Sequence, residues 1–389
     1  MNCRFFTLIF IFGITCHVST AQKPAAEDLS RYIRHIEGKK TGLAINHTSL
    51  AGDGHLLDLL LKNSINVVKI YTPEHGLRGI AGAGETVDSS TDPVTGIPVI
   101  SLYGSNKKPS KEQIAGIDCM LFDMQDAGAR FYTYLSTMHF IMEACAENGI
   151  PLTVLDRPNP NGFYIDGPVL EASCRSFVGM HRIPAVHGMT LGELALMINA
   201  EKWLSGGMTC ELTVVPCTGY THRSKYQLPV PPSPGLPDMQ SVYLYPSLCL
   251  FEGTPLSVGR GTDFPFKVIG HPGFKGNKKY PFAFTPVTSD GKIKPVLEGQ
   301  ICFGRDLRDF NTAEISEINL EWLIEAYNDY KSGDGFFKPV FSKLAGNNIL
   351  QKQIAEGKTA AEIRQSWQKD LDEFKAKRKQ YLLYPDFQE

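Results

Sequence analysis

Beyond its first 21 residues the sequence has no apolar run approaching the roughly 20 residues of a membrane-spanning helix, so no membrane span is expected. It also lacks an excess of either charge. With 39 Lys and Arg against 41 Asp and Glu, and a formal net charge of -2, the chain has no basic field to hold a nucleic-acid backbone. Metal motifs are missing too: there is no CxxC or CxxH spacing, so structural zinc is not indicated. No GxxxxGK[ST] phosphate loop, GxSxG elbow or HExxH helix occurs. In "GIAGAGETVD", Gly82 and Gly84 are followed by Val87 where a dinucleotide fingerprint needs its third glycine, so a nicotinamide or flavin cofactor is not expected either. Internal repeats and low-complexity tracts are absent.

The one long apolar run is N-terminal. Arg4 gives a positive start, "FFTLIFIFGIT" a short hydrophobic region, and "STA" before Gln22 the small residues of a cleavage site, so residues 1–21 read as a signal peptide. The mature chain would then begin at Gln22 in the periplasm or outside the cell. Lipid attachment at Cys16 is the weaker alternative, because Thr15 is larger than the residue such sites need. Removing the leader leaves seven cysteines, an odd number. Cys119 and Cys145 fall in apolar patterns and read as buried thiols, and a bridge such as Cys210 to Cys217 would only supplement an ordinary core.

From about 40 to 217, β-rich runs ("GLAIN", "NVVKIY", "PVISLY", "DCMLFD", "PLTVLD", "LTVVP") alternate with segments of helical spacing such as "HLLDLLLKN" and "STMHFIMEACAENG". This alternation predicts an α/β fold: a mainly parallel, Rossmann-like sheet with helices on both faces. Ser110 to Gln113, Thr190 to Glu193 and Thr359 to Glu362 fit capping boxes, which makes Glu193 a structural residue first, and Gly149 fits a helix C-cap. The prolines of "LPVPPSPGLPDM" (228–239) forbid regular structure and suggest a boundary. The expected organisation is a catalytic domain over 22–236 and a smaller α+β domain over 237–389 that completes the cleft. Within the second, helices are expected near 314–330 and from Thr359, the latter burying Ile363, Trp367, Leu371 and Phe374.

In an open parallel sheet, ligands bind outside the carboxyl ends of the strands. Three strands deliver acids to that rim: Glu74 with His75, Asp123 with Asp126, and Asp156 beside Arg157. Each has a plainer reading, since Asp156 could order the turn before Pro158 and Asp126 could make an Asx turn. Glu74, between Pro73 and "HG", has no helical pairing to account for it. Arg78, Arg130, Arg157 and Arg260 could clamp a carboxylate or make surface ion pairs, and Tyr132 and Tyr134 could stack on a sugar or simply pack. A metal held by His47, His75, Asp123 and His187 remains a minor alternative without ligand spacing.

Seven blocks in order, "YTPEHGLRG", "PVISLYG", "FDMQDAGARFYTY", "VLDRPNP", "SFVG", "HGMTLGELA" and "FEGTPLSVGRGTDFPF", resemble the NamZ family of exo-acting β-N-acetylmuramidases. The resemblance implies removal of N-acetylmuramic acid from the non-reducing end of peptidoglycan fragments, in a cleft between a Rossmann-like and a smaller domain, without a cofactor. It places the family's glutamate at Glu74. Gly235 departs from the asparagine expected after "PSP". On this reading Glu74 is the acid, with Asp123, Asp126 or Asp156 as its partner. His75, Arg78, Gln125, Arg130, Tyr132, Arg157, His187 and Arg260 bind the sugar, and the helix starting near Ser136 aims its N–H groups at the same rim. The favoured route is attack by the substrate's own acetamido oxygen, oriented by Asp123 or Asp126. A non-catalytic periplasmic binder of cell-wall sugars is the alternative.

Overall fold

Six β-strands follow one another as the apolar runs predict: β1 (Thr41–Ile45), β2 (Val67–Thr72), β3 (Pro98–Ser101), β4 (Cys119–Asp123), β5 (Leu152–Leu155) and β6 (Leu212–Val215). In this computed structural model, which describes residues 21–78, 90–288, 294–330 and 335–387, they pair in the order β3-β2-β1-β4-β5-β6, all parallel. A short strand, Ser90–Thr91, adds antiparallel to the β3 edge. The order reverses at β1, whose neighbours are β2 and β4, and the loops leaving these three strands are where a crevice must open. Residues 1–20 of the expected leader and the Gly82 to Val87 stretch lie outside the described residues.

The strands are largely apolar because both sheet faces are covered. Ala44, Tyr71 and Phe122 point into one core with the helices Tyr134–Asn148 and Leu191–Ala200, whereas Leu43, Ile45, Ile70 and Leu121 point into another with Leu56–Lys62. Gly42 is required where it stands: a Cβ there would lie 2.9 Å from Ile117 and 3.1 Å from the Tyr71 ring. The capping boxes at Ser110, Thr190 and Thr359 all form, and Gly149 ends its helix in the left-handed region at φ 62°. All seven described cysteines are buried free thiols, so the Cys210 to Cys217 bridge is not made.

After the proline-rich segment the chain builds a three-stranded antiparallel sheet (Val268–His271, Cys302–Asp306, Phe282–Phe284) and further helices. The helix expected over 314–330 is shorter, Glu321–Asp329, after a single turn at Thr312–Glu314. Ala360–Arg378 buries Ile363, Trp367, Leu371 and Phe374 as its spacing predicts, and its Arg378 donates twice to the Gly188 carbonyl, at 2.7 and 3.0 Å. Phe251, Phe266, Phe341 and Trp367 join the same apolar cluster as the first sheet face, so this smaller unit packs directly on the larger. Among the described residues no helix is long and apolar enough to cross a membrane.

Candidate active site

The chain turns sharply after β2. His75 (φ 75°) and Gly76 (φ 69°) both adopt left-handed backbone, a conformation uncommon outside glycine, and the turn leaves the half-buried Glu74 on the wall of a cavity of about 160 Å³. Facing Glu74 and His75 are Tyr132, Thr133 and Tyr134, from the segment that leads from β4 into the helix Tyr134–Asn148. That helix starts two residues earlier than expected, and its first turn meets the cavity.

The opposite wall comes from the proline-rich segment and the smaller unit: Ser233, Gly235, Leu236, Glu252 and Arg260. This segment has no regular structure of its own and is fixed by its carbonyls. The Pro232 carbonyl accepts from the hydroxyls of Tyr132 (2.7 Å) and Tyr134 (3.2 Å), and the Pro231 carbonyl lies 2.9 Å from His47 Nε2. Tyr132 packs edge-on against Tyr134 and Tyr245, which stiffens the wall. Arg260 donates to Glu252 at 2.6 Å and lies over the Phe266 ring at 4.8 Å. Burial opposes the Arg260 charge, but the adjacent Glu252 carboxylate outweighs it and holds the guanidinium protonated. Gly235 is tight against this pair, since a Cβ there would lie 2.9 Å from Arg260 Nη1.

Of the residues expected at the site, Glu74, His75, Tyr132 and Arg260 line the cavity together. The others do not line it. Asp123 is fully enclosed, and Arg157 grips its carboxylate through Nε (2.5 Å) and Nη2 (2.7 Å) while also donating to the Leu50 carbonyl. Each neutralises the other below the rim. Asp156 accepts from Thr190 Oγ1 (2.6 Å), the Gly192 N–H (2.8 Å) and the Tyr384 hydroxyl (2.5 Å), tying β5 to a helix cap and the C-terminal segment. Burial still pushes its carboxyl up to about 6. Arg130 is buried and donates to four carbonyls, of Pro168, Ile183, Leu344 and Ala345, so it joins the two units, and it pairs with no carboxylate among the described residues. Burial lowers its pKa to about 9. Arg78 pairs with Asp92 at 3.1 Å, and Gln125 donates to the carbonyls of Asp126 and Pro158.

Asp126 is intermediate between these cases. One oxygen accepts from the Gly128 N–H at 2.8 Å, the turn that the sequence allowed, while Oδ1 has no partner among the described residues. Burial pushes its carboxyl up to about 7. Its neighbour His187, 3.9 Å away, is held neutral down to about pH 3 by burial, then by the charges of Arg378 and Arg130, so no ion pair forms. The Tyr134 hydroxyl is raised first by burial and further by the charges of Glu74 and Asp126, so both acids lie within electrostatic reach of this phenol. Glu252 and Ser233 are wall residues that sequence reasoning did not single out, although Glu252 lies eight residues before Arg260 in "FEGTPLSVGRG". Among the described residues no cluster of His, Cys, Asp and Glu could hold a metal ion.

Comparison with known proteins covers most of the chain. The N-terminal domain of exo-β-N-acetylmuramidase NamZ matches residues 41–240 and its C-terminal domain residues 243–384. The peptidoglycan β-N-acetylmuramidase NamZ of Bacillus subtilis is 38% identical over 421 aligned residues, covering 98% of each chain. Two crystal structures of DUF1343 family proteins from Bacteroides fragilis share the fold. One has a TM-score of 0.87 at 45% identity, covering 94% of this chain and all of the other, and the second has 0.79 at 32%, covering 93% and 99%. The chain belongs to the exo-β-N-acetylmuramidase NamZ family.

Proposed function

We infer that the chain is a glycoside hydrolase that releases N-acetylmuramic acid from the non-reducing end of peptidoglycan fragments. One observation carries this reading to the residues: the strained turn after β2 presents Glu74 to a small cavity whose walls also hold two tyrosines and the Arg260–Glu252 pair. Glu74 acts as the general acid on the departing glycosidic oxygen. Arg260, permanently charged, would meet the lactyl carboxylate, while Tyr132 and Tyr134 hold the Pro232 wall in place behind the sugar.

Asp126 is the partner acid this reading favours, because Asp123 is engaged by Arg157 and Asp156 by three donors, while Asp126 keeps an oxygen without a partner among the described residues and perturbs the same Tyr134 phenol as Glu74. It would orient the substrate's acetamido group for attack on the anomeric carbon. Export to the periplasm or beyond, through a leader at residues 1–21, and a place in cell-wall recycling are part of the proposal and rest on the sequence alone. The test is product analysis. A chain ending in N-acetylmuramic acid at its non-reducing end should lose that one sugar, and the same chain ending in N-acetylglucosamine should be left intact. Internal cleavage, or saturable binding without product, would contradict the assignment.

A further inference from the structure

Further along the helix that begins at Tyr134, His139 opens onto a second cavity, of about 630 Å³, that shares no lining residue with the cleft. Its size falls within the range of small-molecule sites. His181, one of its lining residues, is 2% exposed, and neither ring nitrogen has a hydrogen-bond partner among the described residues. The ring stacks on Trp203 at 5.3 Å and lies 4.9 Å from His139, whose Nδ1 is also unpartnered. Native interiors rarely leave such atoms unsatisfied unless a ligand or solvent completes them.

The nearby carboxylate does not supply the missing partners. Glu143 already accepts from His139 Nε2 (3.1 Å), the Ser205 N–H (2.8 Å) and Lys108 Nζ (3.4 Å). Burial, then His139 and Arg175, holds His181 neutral, so its ring offers one N–H donor and one acceptor. At the rim the charges are unbalanced. Arg182 is paired with Asp370 and Glu373, but the exposed Arg175 and Lys202 make no ion pair among the described residues. Apolar surface from Phe140, Leu170 and Leu204 completes the wall.

We propose that this cavity is a second binding site, separate from the hydrolytic cleft, for a small sugar acid. Its carboxylate meets Arg175 and Lys202, a hydroxyl or amide exchanges hydrogen bonds with His181, and the apolar ring face lies on Leu170 and Leu204. The choice of a sugar acid among anions rests on the muramidase reading, which puts N-acetylmuramic acid at high local concentration around the protein.

The experiment is a titration of the full chain, with isotope-labelled histidine, by N-acetylmuramic acid, following the side-chain nitrogens of His181 and His139 by NMR. Saturable shifts at His181 are expected. Combining Arg175→Ala with Lys202→Ala, both at exposed positions, should weaken that response by about tenfold or more. The rate of muramic-acid release from a disaccharide should stay unchanged. N-acetylglucosamine, the same ring without the carboxylate, should leave His181 unmoved. The proposal is overturned if His181 does not respond, if the double variant responds like the parent, or if sulfate reproduces the shifts, which would make the cavity a general anion site. Absence of muramic-acid release by the parent protein itself, with its His181 response present and weakened in the double variant, would count against the hydrolase reading and leave this one standing.

Discussion

Replacing Asp126 by asparagine should stabilise the protein, and more so as the pH rises. Asp126 is 5% exposed, its carboxyl accepts an N–H from Gly128, and it faces a histidine that is already neutral, so ionising it places a negative charge that no cation among the described residues answers. Its pKa moves from 3.8 to about 7, some three units, which at about 1.4 kcal/mol per unit amounts to about 4 kcal/mol. The sign follows from linkage. A carboxyl whose folded pKa is raised contributes stability that is fully present below its unfolded value and is lost as pH rises through the folded one. The window is therefore about pH 4 to 7. Asparagine keeps an oxygen for the Gly128 N–H and cannot ionise. In urea unfolding, the variant's stability relative to the parent should climb by about 1.4 kcal/mol per pH unit between pH 4 and 7 and then level off. A difference that stays flat across this range would refute the burial argument.

Asp123→Ala should destabilise the chain by about 3–5 kcal/mol, because it strands the buried Arg157 guanidinium, and thermal or urea unfolding reads this directly. Tyr132→Phe and Tyr134→Phe each remove a bond to the Pro232 carbonyl. Each should lower kcat/KM about fivefold by freeing the Ser233 to Leu236 wall, with the circular dichroism spectrum unchanged. Proton NMR of the first-formed sugar should show the β-anomer if the acetamido group assists the reaction. An initial α-anomer would require a water between two carboxylates instead.

The parallel sheet was legible because a strand buried on both faces must be a short continuous apolar run, and six such runs stand in order. The capping boxes were legible because their chemistry is local: Thr190 and Glu193 recognise each other across three residues. What could not be read was the destination of long polar side chains. Arg130 sits in a dense polar motif, yet its guanidinium closes on carbonyls more than 200 residues away. Asp123 and Arg157 come from two strand ends that read as parts of one rim, and only the pairing of β4 with β5 brings them close enough to neutralise each other. Ser233 was missed for the converse reason, because its part of the far wall comes from a segment without periodicity, held by tyrosines 98 to 100 residues before Pro232, and Glu252 because it sits in a helical turn (Cys249–Gly253) of the smaller unit whose approach to the cleft is not local. Glu74 was found because a tight turn with no helical partner left its acid without a structural explanation, and the left-handed His75 is the backbone counterpart of that signal.

The most direct test of the central claim is the turnover of Glu74→Gln on a β-linked disaccharide with N-acetylmuramic acid at its non-reducing end, measured alongside calorimetric binding of the same sugar. Glutamine preserves the size of the side chain and removes the transferable proton. The account expects binding to persist and release of N-acetylmuramic acid to fall by about 10²-fold or more. Release at a near-normal rate would contradict the assignment of Glu74 as the acid.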